Sequence, residues 1–321
     1  MSNLIDRKHF FLSNQRYINL KVSVMDLKHA LESKLELTVA NCGRVNSPQR
    51  LFSAIKHAVF PGGARIRPRL CLAIASSFEK TDLELALSAS VSIELLHCAS
   101  LVHDDLPCFD NADLRRGQLS VHRAFDERLA ILAGDSLIVE AFRSLNSCDT
   151  TNFDRLRKIT GFISDGVGSV SGIIAGQAWE CEKKASLIQY QKEKTGSLFE
   201  AATVCGAASA GYEVDAWRSL GEKIGEAYQV ADDIRDVIAH PEELGKPTGK
   251  DVELGRMSSA RELGLSGAVS YFDNLIDSAV NEIPDCKNID NLQSLIRSEA
   301  DRLVPKKGRI KIKKIASKAF S

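Results

Sequence analysis

No proline occurs between Pro107 and Pro241. Proline inside a helix removes a backbone donor and clashes with the preceding turn, so a stretch this long without one is free to run as long helices. The apolar residues there have helical spacing. Leu220, Ile224, Ala227, Ala231, Ile234 and Ile238 recur at three- and four-residue steps, and Leu137, Ile138, Ala141, Phe142 and Leu145 form a second stripe; such steps put side chains on one helix face. Strand-like alternation is nearly absent, its clearest instance being Arg309–Lys313 in a lysine-rich tail. The pattern implies an all-α protein. The 321 residues, 44% of them hydrophobic, can bury a sizeable core. No internal repeat or low-complexity linker divides them, so we read one domain over residues 22–303, with an N-terminal extension over 1–21 and a basic tail over 304–321.

Charge and cysteine content narrow the function classes. Basic and acidic residues number 42 each, so the net charge gives no reason to expect a nucleic-acid partner, and anion binding must be local. The eight cysteines form no CxxC pair, and Cys71, Cys98 and Cys205 lie in apolar runs where a free thiol acts as a small hydrophobe. A reducing, cytoplasmic compartment is expected. The first 21 residues mix charges throughout, and no later stretch could cross a bilayer uncharged, so a soluble chain without a transmembrane segment is expected.

Two acidic clusters break this even distribution. In the first, the apolar run Val91–Val102 leads straight into Asp104 and Asp105, followed by Asp110, Asp113, Arg115 and Arg116. In the second, Asp232 and Asp236 lie one helical turn apart, beside Asp233 and one turn after Gln229. Like charges about 4 Å apart repel by roughly 4 kcal/mol at an effective dielectric near 20, so packed carboxylates call for cations. Oxygen-only donors favour a hard ion such as magnesium, which commonly bridges carboxylates to phosphate oxygens. One acidic run alone reads equally well as a solvated helix face; two, one of them directly after an apolar helix, point to an anionic ligand held between them. Pro107 should end the first helix and let Asp110 turn back towards Asp104.

At these residues the chain resembles a known family. The segments GGARIRP (Gly62–Pro68), LLHCASLVHDDLPCFDNADLRRG (Leu95–Gly117), LAGDSL (Leu132–Leu137), GQAWE (Gly176–Glu180), KTGSLF (Lys194–Phe199), YQVADDIRD (Tyr228–Asp236) and GKPTGKD (Gly245–Asp251) are similar, in order, to the signature blocks of trans-isoprenyl diphosphate synthases. The bacterial geranylgeranyl diphosphate synthases of carotenoid pathways are the most similar group. The resemblance implies a helical bundle around a deep central cavity, commonly a homodimer. It implies that Asp104, Asp105 and Asp110 on one wall and Asp232, Asp233 and Asp236 on the other hold about three Mg2+ ions against an allylic diphosphate. Arg115 and Lys246 would contact that diphosphate; Arg116, Arg67 and His97 would bind isopentenyl diphosphate; Lys194, Thr195 and Gln229 would contact the substrate and shield a carbocation.

Product length is read from the helix below Asp104. Ser100 lies one turn before it, and Ala99 about 7.5 Å below at 1.5 Å per residue. Both are small, where relatives that stop at fifteen carbons commonly carry an aromatic residue, so a twenty-carbon product is expected. The chain also departs from the family pattern. Ala64 replaces a usual lysine, with Arg65 or Arg69 as candidates to compensate; Asn111 and Ala112 replace acids, Glu180 stands where aspartate is usual, and Arg256 stands near a late lysine. The alternatives are a farnesyl diphosphate synthase, a catalytically weak synthase-like regulatory subunit, and a terpene cyclase or head-to-head synthase. The intact aspartates argue against the silent subunit; the GGxRxRP block and the paired arginines argue against the last class.

Overall fold

The computed structural model describes residues 24–60, 63–182, 186–238, 259–310 and 312. The elements in chain order are α1 (Val24–Ala40), α2 (Gln49–Val59), α3 (Ile66–Ala75), α4 (Leu83–Asp104), a hairpin of β1 (Leu114–Arg115) and β2 (Gln118–Leu119), α5 (Val121–Ala124), α6 (Glu127–Asn146), α7 (Phe153–Val167), α8 (Ile173–Ala178), α9 (Leu187–Gln191), α10 (Ser197–Ala210), α11 (Asp215–Ile238), α12 (Ser259–Asn281) and α13 (Ile289–Leu303). The all-α expectation holds. The hairpin, the one pair of strands among the described residues, was not anticipated from the sequence.

Helix α4 is the central element. Its start is fixed by Asp82, whose carboxylate accepts from the Leu85 backbone N–H at 3.0 Å, satisfying one of the donors a helix start leaves open. Its 22 residues span about 33 Å, and their length and apolarity would suffice to cross a bilayer. The helix instead lies within the bundle, where 78% of its most apolar window is buried, and it carries Glu84, Glu94 and Asp104. Helix α6 begins in the same way, Asp126 accepting from Leu129 N–H at 2.8 Å.

Two apolar clusters surround this axis. One joins α1, α2, α4, α6 and α7 with one side of α10 through residues such as Leu35, Ile55, Leu95, Leu137, Ile163 and Leu198. The other joins α3, α11, α12 and α13 through Leu70, Leu220, Ile234, Phe272 and Ile296, with Phe199 of α10. The stripe residues Leu220, Ile224, Ala227, Ala231 and Ile234 all belong to the second cluster, as their spacing requires. Past α13 the chain stays packed. Val304 is buried, residues 306–310 are helical rather than extended, and Arg309 pairs with Asp273 and Asp301 over the Phe272 ring. All eight cysteines are free thiols.

Candidate active site

Helix α4 ends at Asp104, and the Pro107 turn brings the chain back, so that the Asp110 backbone N–H donates to the Asp104 carbonyl at 3.0 Å. This is the return expected from the proline. Asn111 sits in left-handed backbone at φ 45°, a conformation asparagine tolerates better than most residues. Ala112 is buried, so an acid there would be buried too.

The hairpin then places two adjacent arginines. Its central residues Arg116 and Gly117 both have positive φ, 55° and 77°, as a two-residue turn matched to the twist of its strands demands. Arg115 Nε lies 2.9 Å and 3.2 Å from the two oxygens of Asp105, and its Nη2 also reaches that carboxylate and, at 3.7 Å, Asp104. Arg116 turns towards Glu94. Burial raises the pKa of Asp104, with Lys194 opposing and Asp110 reinforcing the shift. Burial likewise raises Asp105 against the pull of Arg115.

The other wall lies on α11, where Asp232 and Asp236 share a face and Asp233 is buried. Gln229 donates from Nε2 to Asp233 Oδ1 at 3.1 Å, so its partner is the residue four positions on and not Asp232. A π-helical turn, Lys192–Gly196, joins the walls just before α10. Such bulges push side chains out of the regular helical register. Gly176 of α8 makes room for this one, because a Cβ there would come within 2.2 Å of the Lys194 backbone nitrogen. From the bulge, Lys194 Nζ donates to Asp104 Oδ1 at 3.2 Å and to Glu180 Oε1 at 2.7 Å. Its neighbour Thr195 donates from Oγ1 to Gln229 Oε1 at 3.0 Å. Adjacent residues of the bulge therefore reach out separately, Lys194 to Asp104 and Thr195 through Gln229 to Asp233. Burial disfavours the Lys194 charge, but Asp104, Tyr190 and Glu180 outweigh it and raise its pKa.

Two turns below Asp104 on α4, His97 Nε2 lies 3.4 Å from Arg67 Nη1. Burial and then the charges of Arg67, Arg116, Arg115 and Arg65 push its pKa well below the ordinary histidine value, so the ring is neutral. Arg67 is buried, stacks 4.2 Å over Phe199 and among the described residues has no hydrogen-bond partner at Nε, a donor set suited to an anion. Ser100 is partly buried and donates to the His97 carbonyl at 2.8 Å, while Ala99 is buried in the first apolar cluster. Lys246 and Arg256 lie outside the described residues.

Neither candidate replacement for a lysine at Ala64 is available. Arg65 is engaged by Glu94 at 2.6 Å, Glu32 at 3.2 Å and the Val59 carbonyl at 2.9 Å, and Arg69 by Glu299 at 2.7 Å and the Ala64 carbonyl at 3.3 Å. Two carboxylates matter more than the sequence indicated. Glu180 takes hydrogen bonds from Gln177, Tyr190 and Lys194, and Glu94 is a buried acid in the middle of α4. Only its position inside an apolar run marked Glu94 out.

Comparison with known proteins decides the lineage. The polyprenyl synthetase model matches residues 48–289. The chain belongs to the polyprenyl synthetase family. A geranylgeranyl diphosphate synthase of Cereibacter sphaeroides is 43% identical over 88% of this chain and 98% of its own length, and one of Rhodobacter capsulatus is 41% identical over 87% and 97%. Among solved structures, a Helicobacter pylori geranyltransferase complexed with magnesium and isoprenyl diphosphate superposes with TM-score 0.71 at 28% identity, covering 86% of this chain and 97% of that one. A farnesyl/geranylfarnesyl diphosphate synthase of Zymomonas mobilis gives 0.73 at 29% identity, covering 87% and 100%. The architecture is therefore the isoprenoid-synthase helical bundle of the polyprenyl synthetases.

The donor set can be tested against magnesium. Among the described residues no three acids, histidines or cysteines converge into a cage, so an ion would take most of its coordination from diphosphate and water. That is how magnesium is commonly held, by one or two carboxylates plus phosphate oxygens. The all-oxygen donors of both walls fit the ion.

Proposed function

We propose that this chain is a magnesium-dependent trans-prenyltransferase that joins isopentenyl diphosphate head to tail with dimethylallyl, geranyl or farnesyl diphosphate and releases geranylgeranyl diphosphate. The observation that carries the reading is that adjacent residues of one π-helical turn contact both acidic clusters, Lys194 at Asp104 and Thr195 through Gln229 at Asp233, which supports a single site between them. About three ions, held by Asp104, Asp105 and Asp110 on one wall and Asp232, Asp233 and Asp236 on the other, would supply the positive charge that lets the allylic diphosphate leave.

The protein's own groups do the rest. Arg115, and Lys246 after the second motif, bind the allylic diphosphate through charge-assisted donors. Arg67, Arg116 and neutral His97 bind the isopentenyl diphosphate. Lys194, Thr195 and Gln229 line the space where the allylic cation forms, and their exclusion of water prevents its capture as an alcohol. Ala99 and Ser100 on α4 leave room for a fourth isoprene unit. We assign residues 22–303 to the synthase domain, 1–21 to an extension and 304–321 to a basic tail. The eight free cysteines support a cytoplasmic enzyme. The exposed apolar residues Ile131, Leu132 and Val139 of α6 and Leu119 of the hairpin support a homodimer.

The test supplies purified protein with magnesium, labelled isopentenyl diphosphate and each allylic primer in turn, with product length read by chromatography. Incorporation ending at twenty carbons is expected, and Ala99→Tyr should shift the product to fifteen. Absence of incorporation with every primer would sink the enzyme reading in favour of a regulatory subunit. An unchanged product from Ala99→Tyr would remove Ala99 from the cavity floor.

A further inference from the structure

Arg116 reaches its position through two contacts that no part of the proposed chemistry requires. Glu94, one turn below His97 on α4, has a side chain only 2% exposed. Its Oε1 accepts from Arg65 Nη1 at 2.6 Å and lies 3.8 Å from Arg116 Nη2. Arg65 cannot follow any movement of that carboxylate. It stands in left-handed backbone at φ 50°, as the residue preceding α3, and is held separately by Glu32 and the Val59 carbonyl. Non-glycine residues stay in such backbone only when their surroundings over-determine it.

Gly63 lies against the same Arg116 guanidinium. A Cβ at that position would stand 2.9 Å from Arg116 Cζ and 3.0 Å from its Nε. The guanidinium thus lies near a buried carboxylate and against bare glycine backbone that leaves it room. Ala64 brings no charge, and Arg65 and Arg69 are both engaged. The isopentenyl end is therefore left with Arg67, Arg116 and a neutral histidine, and the exact placement of Arg116 matters more than it would beside a lysine.

We infer that Glu94 and Gly63 are positioning residues for isopentenyl diphosphate, acting through Arg116: the carboxylate, itself fixed by Arg65, sets where the guanidinium points, and the glycine leaves room for it. The inference rests on the proposed prenyltransfer reading. Glu94→Asp keeps the charge but draws it back by one methylene, and Gly63→Ala displaces the guanidinium by contact with a flexible side chain. Both preserve net charge, so a change reports position and not the potential of the site.

Steady-state kinetics of the full-length protein, with isopentenyl and allylic diphosphates varied separately, provides the test. Loss of a well-placed charge-assisted bond should raise the isopentenyl KM about tenfold in each variant. The allylic KM and kcat should stay within about twofold, a split that a general loosening of the fold would not produce. Should Glu94→Asp fail to fold, Gly63→Ala at its exposed position carries the test. Wild-type isopentenyl KM in the folded variants, or a parallel rise in both Michaelis constants, overturns the assignment. Absence of incorporation by the wild-type protein would instead overturn the prenyltransfer reading itself.

Discussion

Asp104 and Asp105 stand where α4 breaks off, whereas Asp232, Asp233 and Asp236 stand inside α11, which continues to Ile238. On the first wall, position depends on a proline turn and on cations brought from elsewhere: Arg115 from the hairpin and Lys194 from the π-helical turn. On the second, helical periodicity fixes the acids relative to one another, and among the described residues a neutral amide, Gln229, donates to Asp233. Buried acids held by cations lose heavily when one partner goes, because the charge left behind is uncompensated. Removing a single neutral hydrogen bond, such as that from Gln229, costs much less.

The largest effect should be catalytic, and it tests whether the two walls serve one ligand. Asp104→Asn and Asp232→Asn should each lower incorporation of labelled isopentenyl diphosphate by about 10²–10³-fold, as expected for groups that stabilise a departing anion. The double variant should be far less impaired than the product of the two, since groups acting as a unit are non-additive. Full multiplication would mean separate ligands. Next comes stability. Arg115→Met removes the forked partner of buried Asp105 and should cost roughly 2–3 kcal/mol in urea denaturation, the partial exposure of the arginine moderating the loss. Gln229→Leu on the other wall should cost about 1 kcal/mol. Equal losses would erase the contrast between the walls.

The smallest effect concerns pH. Folded His97 stays neutral well below its ordinary titration range, while in the unfolded chain it takes up a proton below about pH 6.5. The unfolded state then binds more protons, so stability is fully present above that pH and falls as pH drops below it, by up to about 1.4 kcal/mol per pH unit. His97→Gln should flatten that part of the stability profile and leave it unchanged above pH 7.

What could be read from the sequence was what repeats or interrupts a local pattern. The α11 stripe and its acidic face follow from helical spacing, and the return of Asp110 follows from one proline. Gln229 lies one turn before Asp232 in the sequence, and its amide donates to Asp233, four residues on; sequence spacing alone admits either neighbour. Arg65 and Arg69 looked available as substitutes for a lysine at Ala64, yet Glu94, Glu32 and Glu299 occupy them. Those pairs join residues 29, 33 and 230 positions apart, and no local pattern reports such distances. At Arg309, where the strand-like alternation of the tail begins, the chain is helical, and long-range contacts with Asp273 and Asp301 on α12 and α13 hold the side chain. Glu180 was visible only as a departure from the family pattern, and its role as a hydrogen-bond hub emerges only when Tyr190 and Lys194 come beside it.

Helix α4 is long and apolar enough to span a bilayer, yet much of its packing comes from α6 and α10, which follow it in the chain. As the protein leaves the ribosome, this segment must wait until Ala210 has been made, several seconds at ordinary elongation rates. For that interval its apolar surface lacks much of its native cover. Glu94 near its middle, with Ser88, Ser90 and Ser92 before it, weighs against insertion, since a charge deep in a bilayer costs several kcal/mol. The acid that orients an arginine in the finished enzyme also helps keep the newborn chain out of the lipid.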